Sequence, residues 1–344
     1  MRVHLKNVAD QVMVITGASS GIGLTTARMA AQKGAKLVLA ARNKTALTEL
    51  VDEIRHRGGE AVCVVADVGK ESDVREISRV AIERFGDYDT WVNVAGVGIY
   101  GNLLDVSTDD SRRLFETNFW GVVHGSLTAA RHFRERKGDH GSAIINVGSE
   151  VSDRAVPLIG MYSASKHAVK GFTDALRMEL EHEGCPISVT LVKPAAIDTP
   201  FPLHAKNYME QEPTLPPPVY APEIVAQVIL HCAQTPERDM FAGGAAKLHS
   251  LQGNVVPRFV DWLMEKKAFS TQKSDRPARH EAEALHGPTT GLLQRSGTRN
   301  DAHETCLYTK ASMHPVLTAA VAAGVGLGIV GLVGALASSN GRQS

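Results

Sequence analysis

The chain has 344 residues, of which 43% are hydrophobic and 22% charged, a mix that supports a packed core and excludes wholesale disorder. Lys+Arg and Asp+Glu each number 37, so the formal net charge is zero and no polycationic footprint for nucleic acid is present. The four cysteines, Cys63, Cys185, Cys232 and Cys306, are scattered without a CxxC pair, which excludes a disulfide scaffold or zinc ribbon and suits a reducing compartment.

The opening MRVHLKNVADQ has no apolar stretch of signal-peptide length, so no export is expected. Short apolar runs then alternate with amphipathic stretches for about 250 residues. The runs predict strands at Val12–Thr16, Lys36–Ala40, Ala61–Ala66, Thr90–Val94, Ala143–Val147, Ser188–Val192 and Asp239–Ala242. Helical periodicity predicts Ile22–Lys33, Lys44–Arg57, Ser72–Phe85, Asp109–Arg136, Tyr162–Glu183 and Pro222–Gln234 between them. Val/Ile-rich strands without polar alternation are buried on both faces, and helical connections make them parallel. The expected fold is α/β: a Rossmann, doubly wound, mainly parallel seven-stranded sheet with helices on both faces.

The turn TGASSGIG, Thr16–Gly23, ends the first strand and opens the first helix. A pyrophosphate is held by backbone N–H groups at a helix N-terminus. Gly17 permits the tight turn, Gly21 the approach of phosphate and Gly23 close helix–sheet packing. Ser19, Ser20 and Ile22 complete the turn. Its spacing is GxxxGxG, neither GxGxxG nor a phosphate loop.

A second constellation follows. INVGSE ends a strand at Ser149, and thirteen residues later Tyr162 and Lys166 stand at i and i+4 on one helix face. A free phenol has a pKa near 10. A nearby ammonium, with the positive charge of a bound cofactor, is expected to draw it down far enough for proton transfer.

With these motifs the chain resembles the short-chain dehydrogenase/reductase family in its compact, single-domain form, over roughly residues 8–250. The resemblance implies catalytic roles for Asn118 (in ETNFWG), Ser149, Tyr162 and Lys166: Tyr162 as acid/base, Lys166 on the tyrosine and the cofactor ribose, Ser149 on the substrate oxygen, and Asn118 in a proton relay. It implies cofactor contacts at Asp67 and Val68 beside the adenine. Further contacts fall at Asn93, Ala95 and Gly96, in an NVAG version of the family's NNAG, and at Pro194, Ile197 and Thr199, in PAAIDT for the family's PGxxxT. After the second strand there is no carboxylate to repel a 2′-phosphate, and Arg42 offers a planar fork that suits one. NADP(H) is therefore expected over NAD(H). The Pro-rich stretch after Phe201 is expected to be a substrate cover carrying His204 and Tyr208.

Residues 266–312 are polar and without sustained period, and are expected to link a catalytic domain (1–265) to a tail (313–344). In that tail Val316–Ala337 is a 22-residue run without charge. As a helix it would measure about 33 Å, enough for a bilayer core of about 30 Å. A buried helix is the competing reading, and a membrane anchor leaving the catalytic domain cytoplasmic is the one taken. The expected activity is interconversion of a carbonyl and a secondary alcohol on a lipophilic substrate, by a homo-oligomer. A non-catalytic, membrane-tethered NADP sensor or scaffold is the alternative.

Overall fold

The computed structural model describes residues 3–136, 140–279, 283–314 and 318. Its elements run β1 (Val12–Thr16), α1 (Gly21–Gln32), β2 (Lys36–Ala41), α2 (Lys44–His56), β3 (Ala61–Val65), α3 (Glu71–Phe85) and β4 (Thr90–Asn93). Next come β5 (Ile99–Tyr100), α4 (Thr108–Phe115), α5 (Gly121–Glu135), β6 (Ser142–Val147), α6 (Gly160–His182) and β7 (Ile187–Pro194). The last are α7 (Phe201–His204), β8 (Lys206–Asn207), β9 (Gln211–Pro213), α8 (Pro222–Cys232), β10 (Asp239–Ala242), α9 (Gly244–Val255), α10 (Pro257–Thr271), β11 (Lys273–Pro277) and α11 (Leu307–Met313).

Seven strands form one parallel sheet in the order β10-β7-β6-β4-β1-β2-β3. Successive side chains of a strand point to opposite faces, and the core divides accordingly. Met13 and Ile15 of β1 and Leu37 and Leu39 of β2 pack with α1, α2 and α8. Val14 and Val38 face the other way, onto α3, α5 and α6. Both faces are covered, which is why these strands read as unbroken apolar runs. The order reverses between β1 and β4, so their carboxyl ends open a crevice there.

The expected strands are all present, with ends moved by at most two residues. The helix expected over Asp109–Arg136 is broken into α4, a π turn at Glu116–Trp120 and α5. A π turn inserts one extra residue without ending the helix, and hydrophobic periodicity passes through it almost unchanged.

Residues 266–312, expected as a linker, contain the end of α10, the strand β11 paired antiparallel with β9, and a strap from Glu283 onward that lies along the domain. Scattered apolar contacts at Ala268, Leu285 and Leu292, together with polar side chains and backbone groups, hold this segment, so it carries no sustained apolar period. Among the described residues no helix is long and apolar enough to cross a membrane. The expected span over 316–337 lies, apart from Thr318, outside those residues.

Candidate active site

The glycine turn is shaped by contacts that leave no room for side chains. Gly17 has φ +67°, and a Cβ there would lie 2.7 Å from the Ala95 Cα. A Cβ on Gly23 would lie 2.2 Å from the Gly17 carbonyl oxygen. The first turn of α1 is thereby pressed onto the end of β1. The Thr16 hydroxyl donates to the Val92 carbonyl (3.3 Å) and accepts the Val94 N–H (3.1 Å), tying β1 to the loop after β4.

One continuous cleft runs from this turn across the ends of the central strands. Gly17, Ser19, Ser20, Gly21, Ile22, Gly23, Arg42, Asp67, Val68, Ala95 and Gly96 line one part, and Ser149, Tyr162, Lys166, Pro194, Ile197 and Thr199 the rest. Two expected site residues do not line it. Asn93 is buried beneath: its amide donates to Asn146 Oδ1 (2.8 Å) and Ser126 Oγ (3.1 Å), and its oxygen accepts from Trp91 Nε1 (2.8 Å). Every polar atom of the Asn93 side chain is thus engaged inside the sheet, which leaves its backbone alone for the cofactor contact expected of this motif. Asn118, in the π turn, spends its amide on Val97, accepting the N–H (2.8 Å) and donating to the carbonyl (2.9 Å), and also donates to Ser165 Oγ (3.2 Å). Its side chain positions the loop wall.

At the other end of the cleft, Tyr162 and Lys166 sit one turn apart on α6, with the Lys166 Nζ 5.7 Å from the phenol ring centroid. Nζ donates to the Val147 carbonyl at 2.8 Å, the carboxyl end of β6. An ammonium carries three donors, so two remain for partners in the cleft. Burial pushes the Lys166 pKa down to about 8. Burial pushes Tyr162 up to about 12, with the Ser149 hydroxyl pulling it down and the Glu150 carboxylate pushing it up. In the protein without nucleotide, burial is therefore the largest influence on the phenol. Ser149 is fixed by a capping box in which its N–H donates to Ser152 Oγ (3.1 Å) and its Oγ accepts the Val151 N–H (3.3 Å).

The Tyr162 end of the cleft carries Tyr100, Val151, Val156, Ile159, Phe201 and Leu215, with the Glu150 carboxylate among them. Phe201 lies with its ring centroid 5.1 Å from that of Tyr162. His204 lines the cleft as expected. Tyr208 does not, and its hydroxyl donates instead to Asp110 Oδ2 (2.6 Å). At the opposite end, Arg42 donates to the Ala284 and Leu285 carbonyls, and Asp67 accepts from Arg113 Nη2 (2.6 Å) and from the Gly69 N–H (3.1 Å).

Sequence reasoning missed Asn43, Tyr100, Gln272 and the strap residues Ala284, Pro288 and Thr289, all of which line the cleft. Asn43 carried a local signal, as the N-cap of α2. The strap carried none, since its partners lie some 240 residues earlier in the chain.

This arrangement fits a dinucleotide. Glycines keep the turn open to phosphate, and a Cβ on Gly96 would lie 4.0 Å from Lys166 Nζ, so the floor beside the lysine stays free. The model for short chain dehydrogenases matches residues 11–209. The uncharacterized oxidoreductase YxnA of Bacillus subtilis is 47% identical over 326 residues, covering 94% of this chain and 91% of that protein. An 11-beta-hydroxysteroid dehydrogenase A of Sesamum indicum is 39% identical over 196 residues, 56% of this chain and 54% of that one. A short-chain dehydrogenase/reductase of Burkholderia phymatum, solved in complex with NAD, superposes with a TM-score of 0.65 at 26% identity, covering 75% of this chain and 97% of that chain. An alcohol dehydrogenase of Thermococcus sibiricus, complexed with 5-hydroxy-NADP, gives 0.58 at 27% identity, covering 67% and 95%.

Proposed function

The chain belongs to the short-chain dehydrogenase family and is an oxidoreductase acting on CH–OH groups with a nicotinamide nucleotide, and from that premise we propose that it interconverts a carbonyl and a secondary alcohol on a lipophilic substrate, with NADP(H) preferred. The observation that carries this reading is that Ser149, Tyr162 and Lys166 line one end of a cleft whose other end holds the glycine turn and Arg42.

When bound, the nucleotide supplies or accepts the hydride; the residues supply position and the proton. In the reductive direction, Ser149 Oγ and the Tyr162 hydroxyl hold the substrate oxygen. Tyr162, pushed up to about 12, is a neutral phenol at neutral pH and so has a proton to donate to that oxygen. The two unspent donors of Lys166 suit ribose hydroxyls. Its charge opposes the desolvation of the phenolate left behind, and the proton is restored from solvent. The glycine turn and the first turn of α1 would hold the pyrophosphate.

Three further features support the finer reading. No carboxylate ends β2, and Arg42 stands there with a planar fork suited to a 2′-phosphate. The wall around Tyr162 is largely aliphatic and aromatic, and a relative is named for a hydroxysteroid substrate. The uncharged run Val316–Ala337 has the length of a membrane anchor, which would leave the catalytic domain on the cytoplasmic side. The test is oxidation of NADPH and NADH with a panel of small polar and lipophilic ketones, in wild type and Tyr162→Phe. Turnover of lipophilic ketones with NADPH, lost in the variant, is expected; activity confined to small polar ketones, or a preference for NADH, would overturn the finer reading.

A further inference from the structure

We propose that residues 283–294 are a working part of the dinucleotide site: a clasp that closes over the bound nucleotide and must open to release it. The inference rests on the nucleotide reading above.

The strap follows the cleft from end to end. At its start the Ala284 N–H donates to the His204 carbonyl (2.7 Å), and Glu283 pairs with Lys206 (2.9 Å); both partners belong to the substrate cover. Over the nucleotide end its carbonyls take the side-chain donors there. Arg42 donates to Ala284 and Leu285, Arg113 Nε to Leu285 (3.1 Å) and Asn43 Nδ2 to Thr289 (2.7 Å). It then pairs with the glycine turn itself: the Leu292 N–H donates to the Ser19 carbonyl (2.7 Å) and the Gly21 N–H to the Leu293 carbonyl (2.8 Å). Gln294 ties the far end to α1, accepting from Arg28 (2.8 Å) and donating to Thr25 Oγ1 (3.0 Å). Between these anchors Ala284, Pro288 and Thr289 form wall of the same cleft that the glycine turn lines. The strap therefore borders the space and holds two donors, the Gly21 N–H and the Arg42 guanidinium, that a dinucleotide would draw on.

Its construction suits a part that moves. Leu285 is its only fully buried apolar anchor, with Ala284 and Leu292 partly buried against the core; most of its remaining contacts are hydrogen bonds near the surface, the kind that open locally at far less cost than global unfolding. Leu292 is held at φ +63°, a left-handed conformation that costs a leucine energy and is relieved when the strap lifts. The Burkholderia neighbour is 97% used in matching 75% of this chain, so about a quarter of this chain has no counterpart there. The Bacillus relative matches 94%.

The test uses the full chain and a double variant, Glu283→Gln with Gln294→Ala, neither of which lines the cleft. Stopped-flow fluorescence follows release of bound NADPH when excess NADP+ is added. Release is expected to be about tenfold faster in the variant, equivalent to about 1.4 kcal/mol, with the thermal midpoint little changed. In wild type, NADPH is expected to slow tryptic cleavage after Arg295. Failure of wild type to bind either NADPH or NADH would overturn the nucleotide reading itself. Binding with unchanged release in the variant, or with tighter binding there, would overturn the clasp alone, and so would cleavage indifferent to NADPH.

Discussion

Lys166 Nζ lies 5.7 Å from the ring centroid of Tyr162, and among the described residues its one hydrogen bond runs to the Val147 carbonyl rather than to the phenol. The two side chains should therefore fail differently when removed. Tyr162→Phe keeps the ring and loses the proton, so kcat should fall by about 10²–10⁴ while the NADPH dissociation constant stays within about twofold. Lys166→Met removes the donors offered to the nucleotide, and both quantities should worsen. Fluorescence titration and steady-state kinetics on the two variants separate these outcomes. Equal loss of nucleotide affinity in both would contradict the division of roles.

Lys166 also bears on stability. Its pKa is pushed from an ordinary 10.5 to about 8 by burial. Below pH 8 the lysine is charged in both folded and unfolded chains, and the folded chain carries the whole desolvation cost. Between pH 8 and 10.5 the unfolded chain holds more protons than the folded one, so stability rises with pH across that window. Lys166→Met, which has no charge to bury, should be more stable than wild type at pH 7 by roughly 1–3 kcal/mol. That advantage should shrink toward pH 10. Paired urea melts at pH 7 and 9.5 read the difference directly, and a constant gap would refute the assignment.

How much of this could be read beforehand depended on whether the signal was local. Met13 and Val14 are neighbours that pack on opposite faces of the sheet, so an unbroken apolar run already implied a strand covered twice. The glycine turn and the Ser149–Tyr162–Lys166 spacing were legible for the same reason: each motif spans one turn or one helix face. For Asn93 the motif reports where the backbone goes and not that its amide turns inward to Trp91 and Asn146. The burial that raises the phenol pKa was not legible, because it depends on packing around the ring, Phe201 included, that no spacing reveals. The strap was invisible, since carbonyls meeting Arg42 and Asn43 can come from any residue type.

The buried network under the cleft makes a separate claim. Asn93 joins Trp91, Ser126 and Asn146, and Asn146 continues to Thr173 Oγ1 at 3.0 Å. Asn93→Ala would strand the Trp91 N–H and leave Asn146 and Ser126 short of a partner, at a cost of about 2–4 kcal/mol in a urea melt. NADPH affinity of the folded variant should be nearly unchanged. A variant of wild-type stability with weakened nucleotide binding would return the Asn93 side chain to the cofactor site.

The glycines offer a last contrast, between backbone freedom and space. Gly86 at the end of α3 has φ +81°, but a Cβ there would meet nothing within 4 Å. Gly86→Ala should therefore cost only the backbone penalty of about 1–2 kcal/mol and leave nucleotide binding intact. Gly23 has no positive φ, yet its Cβ would lie 2.2 Å from the Gly17 carbonyl oxygen, an atom of the backbone that cannot rotate away. Gly23→Ala must push α1 off the end of β1 and misplace the Ser20–Ile22 N–H groups that the phosphates require. Its melt should fall by more than that of Gly86→Ala, and NADPH binding should weaken at least tenfold. If both variants lose stability equally and keep their affinity, the close approach of Gly23 to Gly17 is not what shapes the phosphate end of the cleft.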